Sequence, residues 1–288
     1  MPDLSLTSLS VLALAAFAAG VLNAIAGGGT FLTFPALVWT GVPPIVANAT
    51  SAFAVCPGYL GSVMGFRAEL AALPRRLLWQ EVMLSAAGGV VGAVLLLVTP
   101  AKTFAGIVPW LLLFATVLFA MAPRLARRAV AVKADASVSV GTGTPVDSAT
   151  PADADVAPAP PQASGPVEAT RTTLSRALGL LVVAIYGGYF NGGLGILLMA
   201  LYLLVGESRL NTVNALKNLN SFVLSVVSVI TFAVGGAIVW PQALWMAVFA
   251  TLGGFAGARL ARRLPGAWVR GIVIITGLIM AGLFFGRG

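Results

Sequence analysis

The sequence predicts an all-α membrane protein: a polytopic helical bundle of two inverted-topology repeats, five segments each, with a glycine-rich helix break in each repeat. Three observations carry this expectation. Hydrophobic residues make up 59% of the chain and charged residues 9%, with a mean hydropathy of +0.98; a soluble domain carries far more charge. The apolar residues run continuously instead of alternating, which excludes a transmembrane β-barrel. The two ends of the chain are also copies of one another.

The first segment, LTSLSVLALAAFAAGVLNAI up to Ile25, is long enough to cross a bilayer as a helix. Ala26-Gly27-Gly28-Gly29 stops it, because consecutive glycines are poor helix and leave backbone N–H groups unpaired in hydrocarbon. Irregular backbone at that depth is tolerated only where it lines a cavity or is buried in protein. The next stretch, Thr30 to Gly41, is too short to cross unaided at ~1.5 Å per residue. Segments at 45–66, 78–98 and 103–121 complete the first repeat, 1–121. Residues 122–173 are rich in Ala, Pro, Ser, Thr and Asp and hold five of the nine acidic residues, so they read as a disordered aqueous linker. The second repeat, 174–288, has segments at 174–190, 194–206, 213–233, 241–262 and 269–286, and its own break at Asn191-Gly192-Gly193-Leu194-Gly195.

The halves align without gaps over Gly88–Val108 and Gly253–Val273, a constant offset of 165 that also lays Gly27-Gly28 on Gly192-Gly193. One residue later in register, Asn48-Ala49 falls on Asn214-Ala215. Repetition of this kind bears on the whole fold. Counting every segment as a crossing, with the loop Arg67–Arg76 cytoplasmic, leaves only Lys102 and Arg287 of the seventeen Lys and Arg residues outside and Lys217 within a segment. That bias implies an orientation in which the second copy is inverted, both termini are periplasmic and the linker is cytoplasmic; with the two short segments re-entrant instead, each half would cross four times and the bias would collapse. Inverted repeats with a broken helix in each half are the architecture of a secondary transporter, with its site near the midplane.

Other classes are excluded on composition. The net charge of +8 comes from basic residues at segment ends, not on one face, so no nucleic acid partner is expected. Asp3 is the only early charge, so no cleaved signal peptide is expected. Cys56 is the single cysteine and histidine is absent, which removes a disulfide, a thiolate cluster and the commonest metal ligand. We expect no cofactor, no metal and no enzymatic activity.

The stretch LNAIAGGGTFLTFPALVWTGVPPIVANATSAF, with the later GGVVGA and GGFAGARLARRLP, resembles the TauE/SafE (TSUP) family of sulfite exporters. The features that carry the resemblance are Asn23-Ala24 before the glycines, Pro35 after them, and Ala47-Asn48-Ala49-Thr50-Ser51, with Lys217 opposite Ser51 in the second copy. Two features depart from it: Ala49 stands where the family more often has Gly, and the long linker is atypical. The resemblance implies movement of sulfite, thiosulfate, sulfoacetate or a related anion across the bacterial inner membrane. Whether the protein acts alone or as a homodimer is left open by the sequence.

The candidate substrate-binding residues are Asn23, Gly27, Gly28, Gly29, Asn48, Thr50, Ser51, Asn191, Gly192, Gly193, Asn214, Lys217 and Asn218. Helix starts at the glycines would present free N–H groups, each end carrying roughly half a positive charge; close helix packing uses small residues equally well. The Asn, Thr and Ser groups are uncharged donors that suit an oxyanion, or interhelical hydrogen bonds. Asn220 and Ser221 extend that set. Lys217 has no acidic neighbour on its segment, and an ammonium in hydrocarbon is costly unless paired or solvated; the alternative is snorkelling to the interface. Glu81 is expected in a surface ion pair with Arg75 and Arg76, and Gly88, Gly92, Gly253 and Gly257 in helix packing. A passive anion channel, with the glycine breaks as filter, is the competing functional reading.

Overall fold

The computed structural model describes residues 5–25, 28–138, 174–207, 209–260 and 266–285, and these form eleven helices with no strand. They are α1 (Leu6–Ile25), α2 (Thr30–Trp39), α3 (Pro44–Gly65), α4 (Arg67–Ala71), α5 (Arg75–Val98) and α6 (Ala101–Val138), then α7 (Leu174–Tyr189), α8 (Leu194–Leu204), α9 (Leu210–Val234), α10 (Trp240–Leu260) and α11 (Gly266–Phe285). Prolines mark several starts: Pro44 opens α3, and Pro74 precedes α5, positions where the missing N–H costs nothing. Among the described residues, Leu6–Asn23, Arg75–Val98, Ala101–Leu118 and Asn211–Val234 are long and apolar enough to cross a membrane. On α5, Val90, Val91, Val94, Leu95 and Val98 are all exposed. Water would not tolerate that stripe; lipid does.

α6 runs past Met121 to Val138, beyond the point where the linker was expected to begin. The Ala, Leu, Arg and Lys residues of this stretch are good helix formers, so the helix does not stop where the apolar run does. Residues 139–173 lie outside the described residues.

Most of the helix packing recurs when the halves are exchanged. α1 packs on α10 as α7 packs on α5; α3 meets α10 as α9 meets α5; α2 meets α3 as α8 meets α9; α2 meets α11 as α8 meets α6. α3 also packs on α9, and α6 on α11. Two four-helix units result, α1–α2–α3–α10 and α7–α8–α9–α5, and each borrows one helix from the other half of the chain. The borrowed helices fit through small residues: a Cβ on Gly88 or Gly92 would run into Ala184 or the Ile185 carbonyl oxygen, and one on Gly253 into the Phe17 carbonyl oxygen. Backbone approach of this kind holds helices together in lipid, where no hydrophobic effect acts between them.

Helices are interrupted at both glycine clusters, and there the chain reverses. In the second unit Gly187 lies against Leu194, Gly179 against Leu201, and Arg176 over the Tyr202 ring, so α7 and α8 run antiparallel as a hairpin. In the first, Gly29 lies against Ala19 and Asn23. α2 and α8, of ten and eleven residues, span roughly 15 Å, half the hydrocarbon core.

Candidate functional site

The two hairpin tips meet near the centre of the bundle. Gly193, with φ +76, faces Ala115 of α6 and the Phe31 ring in the first turn of α2. Phe34 of α2 stands edge-on to Phe190, ring centroids 5.7 Å apart. The left-handed turn at Gly193 is open to glycine at little cost, and it lets α8 begin without the amides of the turn being paired. Gly192, Gly193 and Gly195 donate no backbone hydrogen bond to another described residue, whereas Ile196 and Leu197 already bond to the Gly193 carbonyl. In the first tip, Phe31 bonds to the Gly28 carbonyl, and Leu32 and Thr33 bond to that of Gly29.

Unpaired side-chain groups surround the second tip. Asn191 is 4% exposed, and neither its Nδ2 nor its Oδ1 has a partner among the described residues. Asn48, on α3, donates to the Tyr189 carbonyl oxygen at 3.1 Å and leaves its own Oδ1 unpaired. Tyr186 donates to the Gly192 carbonyl oxygen at 2.8 Å, which holds the turn. Elsewhere, on α9, Ser221 Oγ is also buried without a partner among the described residues. Leaving such groups dry costs about 1–3 kcal/mol each. The fold tolerates the cost where something polar is to be accommodated.

α9 presents two different faces. Val213, Leu216 and Leu224 join a buried apolar cluster with α7 and α8. Asn214, Lys217, Asn218 and Ser221 follow the i, i+3, i+4, i+7 spacing of one stripe, which Ser225, donating to the Ala52 carbonyl oxygen, anchors to α3. Lys217 is half-buried. It forms no ion pair with another described residue; the described ion pairs are Glu81–Arg176 and Glu207–Arg209.

The expected site residues therefore divide. Asn48, Asn191, Gly192 and Gly193 come together at the second tip, and Asn214, Lys217 and Asn218 line one stripe of α9. Gly28 and Gly29 are buried at the first tip, and Gly27 lies outside the described residues. Asn23, on α1, lies against Gly29 of the first tip and lines a cavity of about 250 Å³ with Val55, Gly58, Ser62 and Thr251; its buried Oδ1 has no partner among the described residues. Two groups are engaged in packing: Thr50 accepts from the Val239 amide at 3.1 Å, and Ser51 bonds to Thr33 at 2.5 Å. Lys217 and Ser51, matched in the repeat, thus lie in different surroundings.

Glu81 corrects an expectation. It is fully buried and meets neither Arg75 nor Arg76. Its Oε1 accepts from Arg176 Nε at 2.8 Å, and its Oε2 from the Tyr202 hydroxyl at 2.5 Å and Asn220 Nδ2 at 2.8 Å. Asn220 also donates to Tyr202 and accepts from Ser85 at 2.8 Å. Arg176, counted among the basic residues of the cytoplasmic side, is 2% exposed. A carboxylate on α5 is neutralised by a guanidinium on α7 that local sequence does not place beside it. The repeat offset held the one available signal: Glu81 falls on Met246 and Arg176 on Val11, positions inside or packed against the core.

Comparison with known proteins agrees on kind. The family model described as Sulfite exporter TauE/SafE matches residues 12–284. A "Probable membrane transporter protein" of Haemophilus influenzae is 26% identical over 96% of this chain and 94% of its own length. The "Probable membrane transporter protein YfcA" of Escherichia coli K12 is 23% identical over 95% of this chain and 88% of its own. A Sinorhizobium relative, "Probable membrane transporter protein ORF9", is 32% identical over 43% of this chain and 48% of its own. No solved structure matches the chain.

Proposed function

The chain belongs to the sulfite exporter TauE/SafE family of multi-pass membrane transporters, and on that premise we propose that it is a secondary transporter exporting a small sulfur-containing anion such as sulfite, thiosulfate or an organosulfonate. It works by alternating access around a midplane site, in the bacterial inner membrane, with both termini periplasmic and the linker between the repeats cytoplasmic. The repeats, 1–121 and 174–288, are inverted with respect to each other. The observation that supports this reading best is the second hairpin tip: amides of Gly192, Gly193 and Gly195 that donate to no backbone carbonyl of another described residue, beside the Asn191 side chain, which has no partner among them. Helix starts of this kind favour negative charge. Lys217, without an anionic partner among the described residues, supplies the cation that an anionic cargo neutralises. With the cell interior negative, anion export is downhill by ~2.3 kcal/mol per charge per 100 mV, so no coupling ion is required.

The test is uptake of labelled sulfite, thiosulfate and sulfoacetate into proteoliposomes, with and without a pH gradient, together with binding to purified Lys217→Ala. Saturable flux stimulated by counter-flow, and loss of binding in a Lys217→Ala protein that still folds, are expected. Single-channel currents would overturn the carrier mechanism, and wild-type binding by Lys217→Ala would return that side chain to the lipid interface.

A further inference from the structure

The two four-helix units share a packing plan, but their interiors are chemically different. In the α7–α8–α9–α5 unit, Ser85 and Glu81 of α5, Arg176 of α7, Tyr202 of α8 and Asn220 of α9 form one buried, hydrogen-bonded cluster. At the repeat offsets their counterparts are Ala250, Met246, Val11, Leu37 and Ala54. Every one of these belongs to, or packs against, a single apolar core. The polar cluster thus bolts the α5–α7 pair to α8 and α9; across the matching seam no ion pair is found among the described residues, and Thr50 of α3 accepts from the Val239 amide at the start of α10.

Cavity and packing follow the same division. Between the α1–α10 pair and α3 lies the cavity of about 250 Å³, reached by Gly20, Asn23, Val55, Gly58 and Thr251. The matching place, between the α5–α7 pair and α9, is filled: Leu224 of α9 lies 3.4 Å from a Cβ built on Gly89, whereas one on Gly254, the counterpart of Gly89, meets nothing. One seam is shut by ionic and hydrogen bonds with strict geometry. The other is tied by the Thr50–Val239 bond at one end, closed elsewhere by apolar contacts that slide, and already parted at the cavity.

We propose that the two units are mechanically unequal: the α1–α10 pair swings against α3 at the cavity, while the Glu81 cluster holds the α5–α7 pair fixed on α9. Buried polar clusters whose members bond to one another in fixed geometry select one arrangement and penalise its neighbours; apolar cores tolerate shifts between packings far better. The proposal does not depend on the identity of the cargo.

Matched pairs of lipid-facing positions provide the test. Met64 on α3 and Phe255 on α10 correspond by the repeat offsets to Ile230 on α9 and Val90 on α5, and all four side chains are exposed. Spin labels at Met64 and Phe255, or at Ile230 and Val90, in a Cys56→Ser background in lipid nanodiscs without added anion, report each seam by pulsed electron resonance. The Met64–Phe255 distance distribution is expected to be about twofold broader than the Ile230–Val90 one. Adding Ser85→Ala with Asn220→Ala, the residues found at the counterpart positions, is expected to broaden Ile230–Val90 and leave Met64–Phe255 unchanged. Equal widths in the unmodified background, a broader Ile230–Val90 pair, or a narrow Ile230–Val90 pair that ignores the two alanines would each overturn the proposal.

Discussion

Replacing Glu81 with Ala strands a guanidinium. Arg176 is 2% exposed, its Nη2 already has no partner, and its Nε bonds to Glu81 at 2.8 Å. The substitution also removes the acceptor used by Tyr202 and Asn220. Deleting one member of a buried ion pair costs about 3–5 kcal/mol, most of it the penalty of the charge left behind. For a chain of this size that corresponds to roughly 10 °C in melting temperature, at about 2–4 °C per kcal/mol. The assay is thermal unfolding of the purified protein in detergent, followed by loss of the monodisperse fraction on size exclusion. The double variant Glu81→Met, Arg176→Met is the informative control, because it removes both charges while keeping similar volume. It should recover most of the loss, since a buried pair exchanged for apolar side chains is often neutral or stabilising. Tyr202, Asn220 and Ser85 still bond among themselves there. A Glu81→Ala protein melting within about 1 °C of wild type would refute the reasoning. So would a double variant as unstable as the single one, because the cost would then not lie in stranded charge.

Two further substitutions probe the glycines. Gly193→Ala places a side chain at φ +76, with its Cβ 3.1 Å from that of Ala115; a loss of about 1–2 kcal/mol and weakened anion binding are expected, read by melting and by titration. Gly253→Val drives the α1–α10 pair apart at the Phe17 carbonyl and should lower the melting temperature by several degrees, at about 1–3 kcal/mol for overpacking or more, whereas the same change at Gly254, which has open space around it, should be close to silent.

Periodicity and composition made the membrane helices and both interruptions legible, because apolar length and glycine runs act locally. The packing roles of Gly88, Gly92 and Gly253 were legible for the same reason. Reversal of the chain at the tips was not, since a glycine cluster permits a turn without dictating its angle; the contacts of Gly179 and Gly187 with α8 decide that. Glu81 was misplaced because its neighbours in sequence, Arg75 and Arg76, are exposed, while the cation that meets it is far along the chain. Thr50 and Ser51 were read as donors for a ligand, and both are occupied within the fold. Short polar side chains look alike in a sequence whether they serve a guest or a neighbouring helix.

The exchange of α5 and α10 between the units has a consequence for synthesis. As the chain is made, α5 enters the bilayer well before α7, the helix that covers its glycines, and α1 waits longer still for α10. Neither half is a finished object on its own. A ribosome halted between the two halves leaves two surfaces without their mates, and a protease cutting there after completion releases nothing, because the clasp is already closed.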